Sequence, residues 1–221
     1  VHSTAFVIPL WADLLAVAIG AVQGATFAAQ FRDRRLDLLG IALIGIATGI
    51  GGGVARDILL GAPLAALSNN WYLLVAVAAA LFGMLLERVF HRMATAITVL
   101  DALTIGLFCA IGTTKALAAG VPAVPSVFVG VVAAVGGSVL RDVLMTLPIA
   151  VMHVGSLYAV AAVLGATILV VLQALGVAGF VAAIVCVAVT FTVRELAVLF
   201  NWRLPEQRTL SRVPWRPAKE K

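Results

Sequence analysis

Hydrophobic residues run along this chain in blocks of about twenty, separated by short polar or Gly/Pro-rich stretches. A helix needs about 20 mostly apolar residues to cross a bilayer, so each block predicts one membrane span. The blocks fall at about residues 6–30, 38–60, 71–86, 95–118 and 126–147. From Val143 to Val193 there is no Asp, Glu, Lys or Arg, too long a run for one helix. The turn Gln173-Ala-Leu-Gly176 divides it into spans at about 149–173 and 177–200. Seven spans result, with a polar tail from Arg194 onward. Pro122 and Pro125 are expected in the turn before the fifth span, and Trp71-Tyr72 as an interfacial anchor of the third. The first run is too long for the apolar core of a signal peptide and lacks a basic segment before it. Val1 is what a processed start would leave.

Composition agrees: 63% of residues are hydrophobic, 11% charged, and the mean hydropathy is +1.14. A single soluble core cannot absorb that excess, so the fold class is an all-α polytopic membrane protein. The net charge of +5 does not point to nucleic acid, because the cations gather in loops and tail. Arg32, Arg34, Arg35, Arg88, Arg92, Arg194, Arg203, Arg208, Arg212, Arg216, Lys219 and Lys221 all fall on one side of a seven-span layout. The positive-inside rule then places the N-terminus outside and the C-terminus in the cytoplasm of a prokaryotic inner or plasma membrane. The basic tail, 201–221, either sets topology or touches anionic lipid. Cys109 and Cys186 lie within apolar runs and read as small hydrophobes, not metal ligands.

The chain contains an internal repeat. Gly51-Gly-Gly-Val-Ala-Arg56-Asp57-Ile-Leu-Leu-Gly-Ala-Pro63 matches Gly136-Gly-Ser-Val-Leu-Arg141-Asp142-Val-Leu-Met-Thr-Leu-Pro148. Upstream, Asp13-Leu-Leu-Ala matches Asp101-Ala-Leu-Thr, and Gly24 matches Gly112. The first three spans (1–92) thus recur as the next three (93–173), with a seventh helix at 177–200. Three is odd, so the copies have inverted topology, a design whose binding sites lie at the repeat interface.

The doubled G-G-[GS]-x-x-R-D motif and the Asp-led first and fourth spans resemble the prokaryotic branch of the trimeric intracellular cation (TRIC) channel family. That family overlaps bacterial membrane proteins labelled with a glycine-transporter domain. The resemblance covers roughly Ala12 to Phe200. It implies seven helices, a homotrimer, one pore in each protomer, and K⁺ and Na⁺ as permeant ions without any cofactor. Animal members bind a phosphoinositide through a lysine-centred motif. No acid follows Lys115 here, so that regulation is not carried over.

The glycine runs Gly51, Gly52, Gly53 and Gly136, Gly137, Ser138 are expected to break or kink their helices and line the path, since each precedes a charged pair. Gly45 and Gly49 read instead as a small-residue packing stripe. Intramembrane charges cost at least about 2.5–3.5 kcal/mol each, so they pair or line water. Depth along the helices places Asp13 and Arg56 about 9–10 Å outside the centre, and Asp101 and Arg141 about 8–9 Å inside it. These two pairs are expected as structural pins. Adjacent residues do not share a helix face, so Arg56 is not expected to pair with Asp57. Asp57 is matched with Lys115, which otherwise snorkels to the outer headgroups. Asp142 is left without a depth-matched cation and either faces the path, shares the neighbourhood of Arg141 from the next helix, or caps a backbone break. Four acids against three cations leave a net −1, which suits a cation path. His153 and Ser156 face the path or simply pack. No nucleophile–base set or metal motif appears, so the chain reads as no enzyme. The alternative is a secondary transporter of a small solute such as an amino acid.

Overall fold

A computed structural model describes residues 8–31, 36–89, 94–152 and 157–202. Among them the chain forms eight α-helices: α1 (Leu10–Ala29), α2 (Leu38–Leu59), the short α3 (Ala65–Ser68), α4 (Asn70–Val89), α5 (Ala94–Ala118), α6 (Ala123–Leu144), α7 (Tyr158–Ala174) and α8 (Gly179–Leu199). A 3₁₀ turn, Ala150–Met152, lies between α6 and α7. Helices α1, α2, α5, α6 and α8 are long and apolar enough to cross a membrane. The apolar segments of α4 and α7, Asn70–Leu86 and Tyr158–Ala174, are shorter.

Local chemistry sets the ends. Asp37 caps α2, accepting from the Gly40 N–H at 2.7 Å. Pro122 is the N-cap of α6 and Pro125 lies inside its first turn, so this helix starts earlier than Ser126. A first turn tolerates proline, because its N–H groups have no partner within the helix. Gly61, Gly120 and Gly176 follow α2, α5 and α7 with φ of +61°, +78° and +82°, the left-handed conformation in which glycine ends a helix. The sixth span differs from expectation. The chain makes the 3₁₀ turn first, and the helix opens at Tyr158. His153 and Ser156 lie outside the described residues, as do most of the basic loop and tail residues. Arg194 is an exception. Helix α8 continues to Leu199, so Arg194 is helical and buried and does not begin the tail.

Helices α1, α2 and α4 pack together as one group, and α5, α6 and α7 as another. Contacts of α2 with α6 and of α1 with α5 join the groups, and α8 lies against α5 and α7. Small residues allow the close approach. A Cβ on Gly45 would come within 2.9 Å of the Ala21 carbonyl oxygen, Ala25 and Ala80, and one on Gly49 within 2.7 Å of the Val17 carbonyl. Such contacts hold membrane helices together where no hydrophobic drive acts between them. The surface is the reverse of a soluble protein's. Leu39, Leu74, Phe82, Phe128 and Ile184 are exposed, whereas Asp13, Arg56, Asp57, Asp101, Arg141 and Asp142 are buried. This distribution identifies an integral membrane protein.

Candidate functional site: two buried charge clusters

Helices α2 and α6 pack against each other, and Gly51, Gly52, Gly136 and Gly137 lie at their contact. The helices are continuous through Gly51–Gly53 and through 136–138, so the expected unwound break is not formed. The glycines instead remove side chains where backbones meet. A Cβ on Gly52 would overlap the Ala133 carbonyl, and one on Gly137 the Thr48 carbonyl. A Cβ on Gly51 would stand 3.2 Å from the Gly137 Cα, and one on Gly136 3.3 Å from the Gly52 Cα. The contacts are reciprocal: Gly52 and Gly137 are repeat mates, as are Thr48 and Ala133. Gly53 is not at the contact, with only the Arg56 guanidinium near it, at 3.8 Å. Ser138 is mostly buried and its hydroxyl donates to the Val135 carbonyl at 2.8 Å.

The first charge cluster lies where α1, α2, α4 and α5 meet. Asp13 of α1 is its hub. Arg56 Nη1 is 3.5 Å from it, the Tyr72 hydroxyl donates to it at 2.7 Å, and Lys115 Nζ closes the pair from the end of α5. The Lys115 side chain is 30% exposed, against 4% or less for Asp13 and Arg56, so the lysine forms the open edge of the cluster. Asp57 does not meet Lys115. It takes the Arg56 Nε–H at 2.8 Å and accepts from the Ala65 N–H at 2.9 Å. The adjacent Arg56–Asp57 pair exists because the long guanidinium folds back along the end of α2 while the carboxylate caps α3. The rule against neighbours meeting on a helix surface does not reach that far.

The second cluster repeats this plan around Asp101 of α5. Arg141 Nη1 lies 4.0 Å from Asp101, and the Tyr158 hydroxyl donates to it at 3.0 Å. Arg141 also donates to Asp142 through Nε at 3.0 Å and Nη2 at 2.8 Å. Asp142 accepts from the Ala150 N–H at 2.9 Å. It is therefore paired and capping rather than alone. Each cluster is completed by the opposite repeat. Lys115 of α5 serves Asp13, while α1 sends Gln23 to Asp101 at 3.3 Å and places the Phe27 ring under Arg141, 3.9 Å from its centroid. Phe27 and Lys115 are repeat mates.

Asp101 receives one more cation, Arg194 Nη2 of α8, at 3.5 Å. That guanidinium also sits 4.9 Å from the Tyr158 ring centroid. Two acids face two cations in each cluster, while Glu195, next to Arg194 on α8 and with Oε1 buried, keeps the sum over the spans at −1. Tyr72, Tyr158, Gln23 and Arg194 were not among the expected site residues. The tyrosines carried a usable signal, because the chain has only two and they hold matching places in the two repeats. Within the first cluster a cavity of about 10 Å³ remains beside Asp13, Arg56, Asp57 and Tyr72 and is bounded by Phe108, about room for one water.

Comparison with known proteins bears on this arrangement. A family profile described as glycine transporter matches twice, over residues 10–88 and 98–174. The UPF0126 membrane protein of Deinococcus radiodurans is 32% identical over 158 residues, 71% of this chain and 72% of that protein. The UPF0126 inner membrane protein YadS of Escherichia coli K12 is 29% identical over 205 residues, 88% of this chain and 94% of that one. Among solved structures, the TRIC trimeric intracellular cation channel orthologue from Rhodobacter sphaeroides superposes with a TM-score of 0.80 at 29% identity, covering 87% of this chain and 98% of that one. The chain has the TRIC channel fold, and it belongs to the glycine-transporter family of membrane proteins.

Proposed function

We propose that the chain is a cation channel passing K⁺ and Na⁺, with one path inside each protomer of a homotrimer. The observation that carries this reading is the likeness to a cation channel orthologue over nearly that protein's whole length. The path runs from the Asp13 cluster past the α2–α6 contact to the Asp101 cluster. Buried ion pairs at two depths, with small residues between them and a water-sized cavity at the first, are what a narrow polar route through lipid requires. The long helices α1, α2, α4, α5, α6, α7 and α8 make seven spans. The reciprocal Gly52–Ala133 and Gly137–Thr48 contacts support an inverted repeat about a pseudo-two-fold axis. The N-terminus lies outside and the C-terminus in the cytoplasm, as the basic loops require.

With both clusters neutral, selectivity does not come from a net charge at either cluster. It comes from which partners an ion displaces, and carboxylates released from arginine favour a cation. Reversal potential in asymmetric KCl across a planar bilayer tests the reading. A potential near the K⁺ equilibrium value supports it, and a value near that of Cl⁻ sinks it. A second reading, a secondary transporter of glycine or a similar solute, is favoured by the description of the matching family. Proteoliposome uptake of labelled glycine without unitary current would select it.

A further inference from the structure

We infer that Phe108 is the central constriction of this path, an aromatic plug seated in the hollow left by its own repeat mate. The inference rests on the channel reading above. On α5, Asp101, Phe108 and Lys115 are spaced by seven residues, so acid, ring and base lie on one face two turns apart. Their mates on α1 are Asp13, Gly20 and Phe27, at the same spacing. The symmetry is broken at its middle member, where one helix carries a phenyl ring and the other no side chain.

The structure brings these two positions together. A Cβ on Gly20 would stand 3.5 Å from the Phe108 ring, and one on Gly52 would stand 3.4 Å from it. The ring is 2% exposed and therefore fills the junction of α1, α2 and α5. Against it lies the cavity beside Asp13, Arg56 and Tyr72. Two turns below it on the same face of α5 is Asp101. At its own level the ring meets the bare backbones of Gly20 and Gly52, and the route there is closed by the ring. A hydrophobic constriction of this kind excludes water, and an ion cannot enter without part of its shell. Gly20 supplies the space into which the ring packs, and Gly52 lets it reach the α2–α6 contact.

Unitary currents of wild type, Phe108→Leu, Phe108→Val and Phe108→Ala in planar bilayers test this. Conductance or open probability is expected to rise as the side chain shrinks, several-fold by Phe108→Ala. The reversal potential should stay unchanged, because both clusters remain intact. Should Phe108→Ala fail to fold, Phe108→Leu and Phe108→Val still give a graded series. A conducting wild type whose currents are matched by all folded variants overturns the plug while leaving the channel. A wild type with no current overturns the channel reading itself, and the plug with it.

Discussion

Tyr72 and Tyr158 do the same task in the two halves of the molecule: each phenol donates to the acid that leads its repeat. A hydrogen bond to a charged group contributes about 1.5–3 kcal/mol. Tyr72→Phe should therefore lower stability by that order, seen as a lower thermal midpoint in detergent. Tyr158→Phe should cost a similar amount, because Asp101 is left with two cations as Asp13 is. Asp142 gives a second test. Its carboxylate is committed to Arg141 and to the Ala150 N–H, so Asp142→Asn should reduce yield and thermal stability and leave the low-salt reversal potential unchanged. A shift in reversal potential at normal stability would put Asp142 in the path. Residue-scale legibility followed depth. Asp13, Arg56, Asp101 and Arg141 stand out as charges deep inside apolar runs. Arg194 does not, because it sits at the seam between an apolar run and a polar tail, where a sequence places no helix end. Asp57 and Asp142 were misread because capping of α3 and of the 3₁₀ turn depends on how the chain doubles back, which spacing does not encode.

Among the elements, α2 and α6 carry the distinction between a glycine that bends a helix and one that lets a neighbour in. Their sequences are the same under either use, since glycine lowers helix propensity and removes bulk at once. In this chain the second use is visible at Gly51, Gly52, Gly136 and Gly137, which face one another while both helices run on without interruption. The two uses separate experimentally at neighbouring positions. Gly52→Ala would drive a methyl into the Ala133 carbonyl, and Gly137→Ala one into the Thr48 carbonyl. Overpacking of this kind costs about 1–3 kcal/mol, so both variants should lose trimer yield and thermal stability. Gly53→Ala meets only the end of Arg56. It should be neutral or gain up to about 1 kcal/mol from helix propensity. Equal losses at Gly52 and Gly53 would restore the kinked-helix reading. The helices themselves were legible because apolar runs of bilayer length leave few alternatives. Their ends were less so: Pro125 lies inside α6, and the turn ahead of Tyr158 replaced part of a span.

At the scale of the whole molecule, the two halves exchange parts. Lys115 leaves its own repeat for Asp13, while Gln23 and Phe27 leave theirs for Asp101 and Arg141. Neither cluster can be assembled from one half, which is the physical reason a single chain must carry both copies. On the proposed route through both clusters, one chain would supply every path residue and need none from a neighbour. A homotrimer built from it should therefore conduct through three independent routes, with nothing passing along its three-fold axis. Linked trimers with one altered subunit separate the cases. A concatemer carrying Phe108→Ala in a single protomer should show one enlarged current level beside two of wild-type size. A shared axial route would instead give one level of intermediate size, because every ion would pass the same mixed constriction. The same concatemer with Asp13→Asn in one protomer should lose or alter one level of three and leave the remaining two at wild-type amplitude. Loss of all current from that single substitution would mean that the protomers share a path, and the clusters would then have to be read as parts of an interface.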